Sequence, residues 1–199
     1  MKSLNILLAL VFISFFVNAQ SLSKEQIFRK RLSIEAIKLT KTKVIYNPAY
    51  VSIPYPMGDV PASTGVCTDV VIRAYRKLGF DLQEAVHIDM SKNFNAYPKI
   101  WGRKTTDKNI DHRRVPNLMK FFGRKGHVLP LSVNPSDYNA GEIVCWELSK
   151  GITHIGLIVE QKSKYAKRNL VVHNIGSGQV VEDCLFDFRI IGHYYFYPN

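Results

Sequence analysis

Residues 142–159 read EIVCWELSKGITHIGLIV, two apolar runs separated by a Lys150-Gly151 turn. Short runs of this kind, rich in β-branched residues and bounded by glycine, predict strands. Similar runs recur at residues 170–174 and 190–197, again next to glycine-containing turns. The second half of the chain is therefore predicted to form a mostly antiparallel sheet.

The first half predicts helices. Ser23 and Gln26 have the spacing of a capping box, so a basic helix should start at Lys24. Later segments show apolar residues every three or four positions, or a proline suited to a first helical turn. Helices are expected over 24–39, 66–78 and 89–95, and from Pro116 onward. Helices followed by strands indicate an α+β fold, with one helix packed on the sheet.

The N-terminus has the pattern of a secretory signal peptide. Lys2 precedes an apolar run over 4–17, and Ala19 supplies a small residue at the expected cleavage position. An uncleaved N-terminal anchor is the alternative. We therefore divide the chain into a signal peptide (1–19), a helical extension (20–43) and one domain (44–199). The protein should be exported, to the periplasm or outside the cell, with no integral membrane segment after signal removal.

Composition and charge narrow the classes of function. The chain has 199 residues, of which 46% are hydrophobic and 22% charged, which excludes a disordered chain, a collagen and a coiled coil. Its formal net charge of +11 favours an anionic partner: nucleic acid, anionic lipid or the bacterial cell wall. Because an exported protein rarely meets nucleic acid, the cell wall or envelope is the leading expectation.

Cys67 is the first candidate for chemistry. An odd number of cysteines, three in this chain, leaves at least one thiol free in an exported protein. Cys67 should lie in the first turn of a helix capped by Thr64, where the helix dipole would favour an activated thiolate. The alternative is a buried, inert thiol. Cys145 and Cys184 are expected to pack within the sheet, with a disulfide between them as the alternative.

Two histidines are placed to assist Cys67. His154 opens a strand and can act as general base toward the thiol. His173, near the end of the next strand, can hold the imidazole of His154 in the correct tautomer. If the two strands pair antiparallel, side-chain alternation brings His173 to His154 and sends Asn174 to the other face. Asn174 is the fallback for this role, and a strand-end or turn contact is the structural alternative for each histidine.

Residues 111–114 form a second polar cluster. Two arginines beside an acid and a histidine can bind a substrate carboxylate. The alternative is a solvated loop with local ion pairs. The residues concerned are Asp111, His112, Arg113 and Arg114.

We expect neither a metal nor a cofactor, because no histidine or cysteine spacing is typical of a metal site. The competing interpretation is a zinc site formed by His87 and Asp89 with His112 or His193.

Several segments resemble the bacterial domain-of-unknown-function 1287 family. The resemblance covers about residues 45–197 and lies in the segments Tyr55–Pro61, Gly65–Arg73, Asn109–Leu118, Gly151–Gly156 and His173–Gly176. The order of cysteine at a helix start, histidine opening a strand and a polar residue on the next strand is also similar to that of NlpC-type cysteine peptidases.

The NlpC-type resemblance implies a papain-like fold and hydrolysis of amide bonds in the peptides of bacterial cell walls. It implies Cys67 as nucleophile, His154 as base and His173 as orienting residue. It also implies a tyrosine at the oxyanion, for which Tyr55 is the best match and Tyr50 the alternative. NlpC-type enzymes have an acid before the cysteine, whereas here Asp69 follows it, so the substrate contacts of that acid do not transfer.

Three functions compete. The first is a monomeric cysteine amidase or endopeptidase acting on peptidoglycan or its peptide fragments through a Cys-His-His triad. The second is a lipid-directed acyltransferase or thioesterase, although such relatives usually place histidine before cysteine. The third is a catalytically inactive wall-binding domain.

Overall fold

The helices of the protein occupy the first two thirds of the chain. A computed structural model describes residues 21–198, so the predicted signal peptide lies outside the described residues. The helices are α1 (Lys24–Leu39), α2 (Cys67–Lys77), α3 (Leu82–Lys92) and α4 (Val115–Lys125). Short 3-10 helices cover Phe94–Ala96, Asp111–Arg113 and Pro135–Asp137.

The strands form one large sheet and one small ribbon. They are β1 (Ile45–Tyr46), β2 (Thr64–Gly65), β3 (His127–Val128), β4 (Ile143–Ser149), β5 (Ile152–Lys162), β6 (Asn169–Asn174), β7 (Gln179–Glu182) and β8 (Arg189–Tyr195). The sheet has six strands in the order β3-β8-β4-β5-β6-β7, and every neighbouring pair is antiparallel. The ribbon pairs β1 with β2 in parallel. The predicted α+β fold with a mostly antiparallel sheet is confirmed.

Local sequence signals predict the start of α1 correctly and the start of α3 incorrectly. The capping box of α1 is confirmed: Ser23 Oγ accepts from the Gln26 amide, and Gln26 Oε1 accepts from the Ser23 amide. The short third helix predicted over 89–95 is wrong. It begins at Leu82 because the Asp81 carboxylate accepts from the Gln83 amide and caps the first turn.

Both faces of the sheet are buried. The face toward the helices packs Ile143, Cys145, Ile155 and Leu157 against apolar residues of all four helices. We call this the helix face. The opposite face buries a smaller cluster around Trp146, which also contains Val171, Cys184 and Leu185. We call this the Trp146 face.

The N-terminal helix packs on the domain that follows it. Leu32 and Ala36 of α1 are fully buried in the core of the helix face. The Arg29 guanidinium donates to Glu142, and Ser33 Oγ accepts from the Glu160 amide of β5. Helices α1, α2 and α4 all contact β5, so the expectation of a single helix on the sheet is wrong.

The cysteines Cys67, Cys145 and Cys184 are all free and buried. Cys145 lies on the helix face and Cys184 on the Trp146 face, so the body of the sheet separates them. Both pack as expected, and the alternative of a disulfide between them is wrong. No helix within residues 21–198 combines the length and the apolar character needed to cross a bilayer.

A glycine on β5 allows the close packing of the Trp146 face. A Cβ added at Gly156 would lie 2.6 Å from Val171 Cγ1 and 3.0 Å from the Val172 carbonyl oxygen. We predict that Gly156→Ala lowers the free energy of unfolding by about 1–3 kcal/mol because of overpacking. Gly123→Ala on α4 is the control: its Cβ would have no neighbour closer than 3.9 Å, and helix propensity favours alanine. Urea unfolding measures both. An equal effect of the two substitutions would contradict this interpretation.

Candidate catalytic site

The start of α2 is fixed by a buried ion pair. Asp69 Oδ2 accepts from the Val66 amide at 2.7 Å, and Arg113 donates from Nε and Nη2 to the two Asp69 oxygens at 2.9 Å each. Both side chains are only 3% exposed. Thr64 Oγ1 donates instead to the Pro61 carbonyl, so the predicted Thr64 cap is wrong. Asp69 therefore positions the first turn of α2, and its carboxylate is occupied by the contacts with Val66 and Arg113.

Cys67, the first residue of α2, lies at the base of a cleft of about 290 Å³. We call it the Cys67 cleft. Tyr46 and Thr153 line it together with Trp101 and Arg114. The Cys67 residue is only 7% exposed, and backbone amides of Ile155, Thr68 and Cys67 itself lie within hydrogen-bonding range of its sulfur. The cleft thus presents a thiol surrounded by N–H groups.

Burial dominates the ionisation of Cys67. It raises the pKa of the thiol to about 12, despite the opposing effect of the surrounding amides. The nearby Asp69 carboxylate raises this pKa further. The prediction of an activated thiolate is wrong for this state, because removing the sulfur from water outweighs its position at a helix N-terminus. The resting form of Cys67 is the neutral thiol.

The two predicted histidines are in direct contact. His154 Nε2 lies 2.9 Å from His173 Nδ1, and the antiparallel pairing of β5 with β6 is consistent with this contact. Both rings are buried on the Trp146 face, and Trp146 stacks on His154 with ring centroids 5.6 Å apart. The expectation that His173, and not Asn174, meets His154 is confirmed. Asn174 faces the other way and donates to the Gly65 carbonyl at 3.3 Å.

The carboxylate of Glu182, which the sequence analysis did not identify, contacts the second histidine of this pair. His173 Nε2 lies 2.9 Å from Glu182 Oε2, and the sulfur of Cys184 is 3.4 Å from the same nitrogen. Glu182 lies on β7, and its side chain is 44% exposed. We call Glu182, His173 and His154 the histidine relay.

The relay determines which ring nitrogens hold protons. Burial lowers the pKa of His154 to about 3 and lowers that of His173, so both rings are neutral at pH 7. A carboxylate can only accept, so the His173 proton is on Nε2 and its Nδ1 is the acceptor. His154 must then donate from Nε2. Its Nδ1 keeps a lone pair, which is what a general base needs.

Cys67 of α2 contacts β5 next to His154, but the two side chains are not hydrogen-bonded. The Cys67 sulfur meets the backbone amide of Ile155, the residue after His154. The side chain of Ile155 lies on the helix face with Cys67, whereas His154 packs against Trp146. Among residues 21–198 no hydrogen bond joins the Cys67 thiol to a histidine, so the direct contact expected from the sequence is not formed in this state.

The tyrosines expected at the oxyanion lie elsewhere. Tyr55 packs edge-on against His87, with ring centroids 5.1 Å apart, and the Tyr50 hydroxyl contacts Asp107. Tyr46 lines the Cys67 cleft instead. Burial raises the pKa of Tyr46, and the proximity of Cys67 and Asp69 adds to this effect. The pairing of Tyr46 with Gly65, two residues before Cys67, brings this tyrosine to the cleft.

The polar cluster at residues 111–114 is mostly buried. Asp111 is buried and accepts from the Asp107 amide, and His112 is buried with no partner for its Nδ1. Arg113 is committed to Asp69. Arg114 stacks on Trp101 at 4.1 Å and lines the Cys67 cleft. Neither a solvated loop nor a set of four free ligand groups describes this segment. Arg113 and Arg114 both line the cleft, and Arg114 is the one of the two that is not paired with Asp69.

Two residues of the alternative zinc site have other partners, whereas the buried Nδ1 atoms of His87 and His112 have no hydrogen-bond partner among the described residues. Asp89 pairs with Arg124 and Lys125, and His193 bonds to Glu142. Within the described part of the chain, the only group of at least three potential ligands is His173, Glu182 and Cys184.

Comparison with known proteins places this chain in a family. The chain belongs to the family described as "Domain of unknown function (DUF1287)", whose model matches residues 33–196. It is similar to "Uncharacterized protein YijF" of Escherichia coli (strain K12), with 52% identity over 154 residues, or 77% of this chain and 75% of that protein. No solved structure matches it significantly.

Buried neutral histidines make stability depend on pH. Burial lowers the pKa of His112 and of His154 from 6.5 to about 3. The unfolded chain therefore binds these protons near pH 6.5, and the folded protein does not until near pH 3. We predict that the free energy of unfolding falls as pH decreases through this window, by up to about 1.4 kcal/mol per pH unit for each histidine.

Urea unfolding between pH 7 and pH 4 measures this slope. His112→Gln should reduce the slope of the free energy of unfolding against pH by up to the contribution of one histidine. His127→Gln, at an exposed position, should leave the slope unchanged. The interpretation fails if both substitutions give the slope of the unmodified protein.

Proposed function

We propose that this protein is an exported cysteine hydrolase with a papain-like, NlpC-type fold, which cleaves amide bonds in the stem peptides of peptidoglycan. One observation supports this most strongly: a buried histidine relay leaves the lone pair of His154 Nδ1 free, beside the strand position at which the Cys67 sulfur lies.

The proposed reaction starts from a neutral thiol and a neutral imidazole. Because the pKa of Cys67 is about 12 and that of His154 about 3, a resting ion pair is not populated. The proton instead passes from sulfur to His154 Nδ1 while the sulfur bonds to the substrate carbonyl carbon. The proposal requires the thiol and the ring, which are not hydrogen-bonded in this state, to come into contact when substrate fills the cleft.

His154 then returns the proton to the leaving amine as the carbon–nitrogen bond breaks, which leaves a thioester on Cys67. In the second half of the reaction, His154 removes a proton from water. The water oxygen attacks the thioester carbon, and the acid product leaves as the thiol regains its proton. His173 and Glu182 hold the ring throughout and do not touch the substrate.

Backbone amides around the Cys67 sulfur would stabilise the oxyanion that forms on the substrate carbonyl. The backbone amides at the start of α2 and that of Ile155 point toward Cys67. Amides at such a position stabilise the negative charge that develops on the carbonyl oxygen. The Tyr46 side chain in the same cleft is the one tyrosine that can assist them.

Charge supports a peptide of the cell wall as substrate. Arg113 and Arg114 both line the cleft. Arg113 makes a close, buried pair with Asp69, whereas the pair of Arg114 with Asp111 is longer, at 3.3 Å. The net charge of +11 favours binding to an anionic polymer. A carboxylate of the stem peptide is the group that Arg114 would bind. The hydrocarbon chain of a lipid has no charged group that could pair with this cation.

A non-catalytic wall-binding domain is the second candidate. The observations that favour it are the neutral thiol of Cys67 and the missing hydrogen bond to His154. Such a domain would bind peptidoglycan through the cleft without cleaving it.

Variants distinguish the two candidates. On purified peptidoglycan fragments, we predict that Cys67→Ala abolishes the release of new amines and carboxylates, because the nucleophile is lost. His173→Ala should lower kcat strongly but less than Cys67→Ala does, because an orienting residue assists the base without reacting. Mass spectrometry of the fragments measures the products.

Cys145→Ala is the matched control, since it removes another buried thiol of the same core cluster and should retain activity. Binding of fragments by the unmodified protein without any cleavage would favour the wall-binding domain. Cleavage that survives in Cys67→Ala would contradict the assignment of the nucleophile.

A further inference from the structure

Three potential ligands converge next to the histidine relay on the Trp146 face. His173 Nε2, a Glu182 carboxylate oxygen and Cys184 Sγ all lie within 4.8 Å of one another. They come from the end of β6, the end of β7 and the loop that follows β7. Cys184 takes no part in the proposed reaction, so its place beside the relay needs another explanation.

The distances suit a small tetrahedral ion. Bonds of about 2.0–2.3 Å to nitrogen, oxygen and sulfur at tetrahedral angles separate ligand atoms by roughly 3.3–3.7 Å. His173 Nε2 lies 2.9 Å from Glu182 Oε2 and 3.4 Å from Cys184 Sγ. The half-exposed Glu182 side chain can move to complete the geometry.

The mixture of donors also selects the ion. One imidazole, one thiolate and one carboxylate match the preferences of Zn²⁺, whereas Ca²⁺ and Mg²⁺ prefer oxygen alone. His173 and Cys184 are buried, and Glu182 is half-exposed, so an ion can enter past Glu182 and keep a water as its fourth ligand.

We propose that His173, Glu182 and Cys184 form a reversible zinc site that switches the histidine relay off. Its inhibitory effect depends on the proposed function, whereas metal binding itself does not. The ion bonds to His173 Nε2, so the ring proton of His173 must reside on Nδ1. His173 then donates to His154 Nε2, and the proton of His154 moves to its Nδ1.

This change of tautomer blocks the base. With its Nδ1 protonated, neutral His154 cannot accept the proton of Cys67. The proton count balances: each ring keeps one proton, Cys184 releases one to solvent on forming the Zn–S bond, and nothing is oxidised. Removal of the ion by a chelator restores the Glu182-directed tautomer.

Cobalt(II), a spectroscopic substitute for zinc, tests the site directly. Titration of the full mature chain should give one equivalent of bound cobalt, with the visible bands of a four-coordinate ion and a thiolate-to-cobalt absorption that zinc displaces. Cys184→Ala should lose the thiolate absorption and weaken binding by more than about 100-fold, since removing a ligand costs more than removing an outer-shell partner. Cys145→Ala, the matched buried thiol on the helix face, should keep both.

A thiolate absorption that persists in Cys184→Ala, or that never appears in the unmodified protein, would overturn the site. The effect on activity is measured separately, as the ratio of rates with and without zinc for each variant. This ratio should be small in the unmodified protein and in Cys145→Ala, and close to one in Cys184→Ala. An equal ratio in all three would refute the switch.

Cobalt binding in a protein that cleaves no substrate would support the metal site and count against the proposed function. Cleavage without cobalt binding would do the reverse.

Discussion

The hydrogen bond between His154 and His173 determines what the site can do. It joins two neutral rings on the buried Trp146 face. Glu182 at the other end fixes the direction in which every proton of the relay points. The same arrangement makes the relay sensitive to whatever contacts His173 Nε2, and Cys184 lies within reach of that nitrogen. Function and its proposed control therefore depend on one tautomer.

The position of Cys67 depends on a different interaction. The buried pair between Asp69 and Arg113 holds the first turn of α2 against the 3-10 helix at 111–113, and the short ribbon of β1 and β2 brings Tyr46 to the cleft. These contacts bury the sulfur and keep it protonated. A buried thiol resists adventitious oxidation and alkylation, since the thiolate is the reactive form. In the proposed reaction, His154 must therefore remove the proton of Cys67 while the sulfur attacks the substrate, and not before.

Local and periodic signals were sufficient for the parts of this account that depend on neighbouring residues. The capping box at Ser23, the strands β4 to β6 and the contact of His154 with His173 follow from pattern and alternation. Glu182 and Tyr46 could not be found in this way, because each lies on a strand of at most four residues that shows no periodicity. The pairing of Asp69 with Arg113 spans 44 residues, and the ionisation of Cys67 depends on packing by distant segments. Such effects are set by tertiary structure alone.

The tautomer of His154 is the quantity on which the account depends most, and nitrogen-15 NMR of the histidine side chains measures it directly. In metal-free protein at pH 7, the account predicts that both His154 and His173 are neutral with the proton on Nε2. It also predicts that Glu182→Gln, whose amide can donate as well as accept, weakens this preference. A His154 ring protonated on Nδ1, or one that titrates near pH 6.5, would contradict the relay and the assignment of His154 as base.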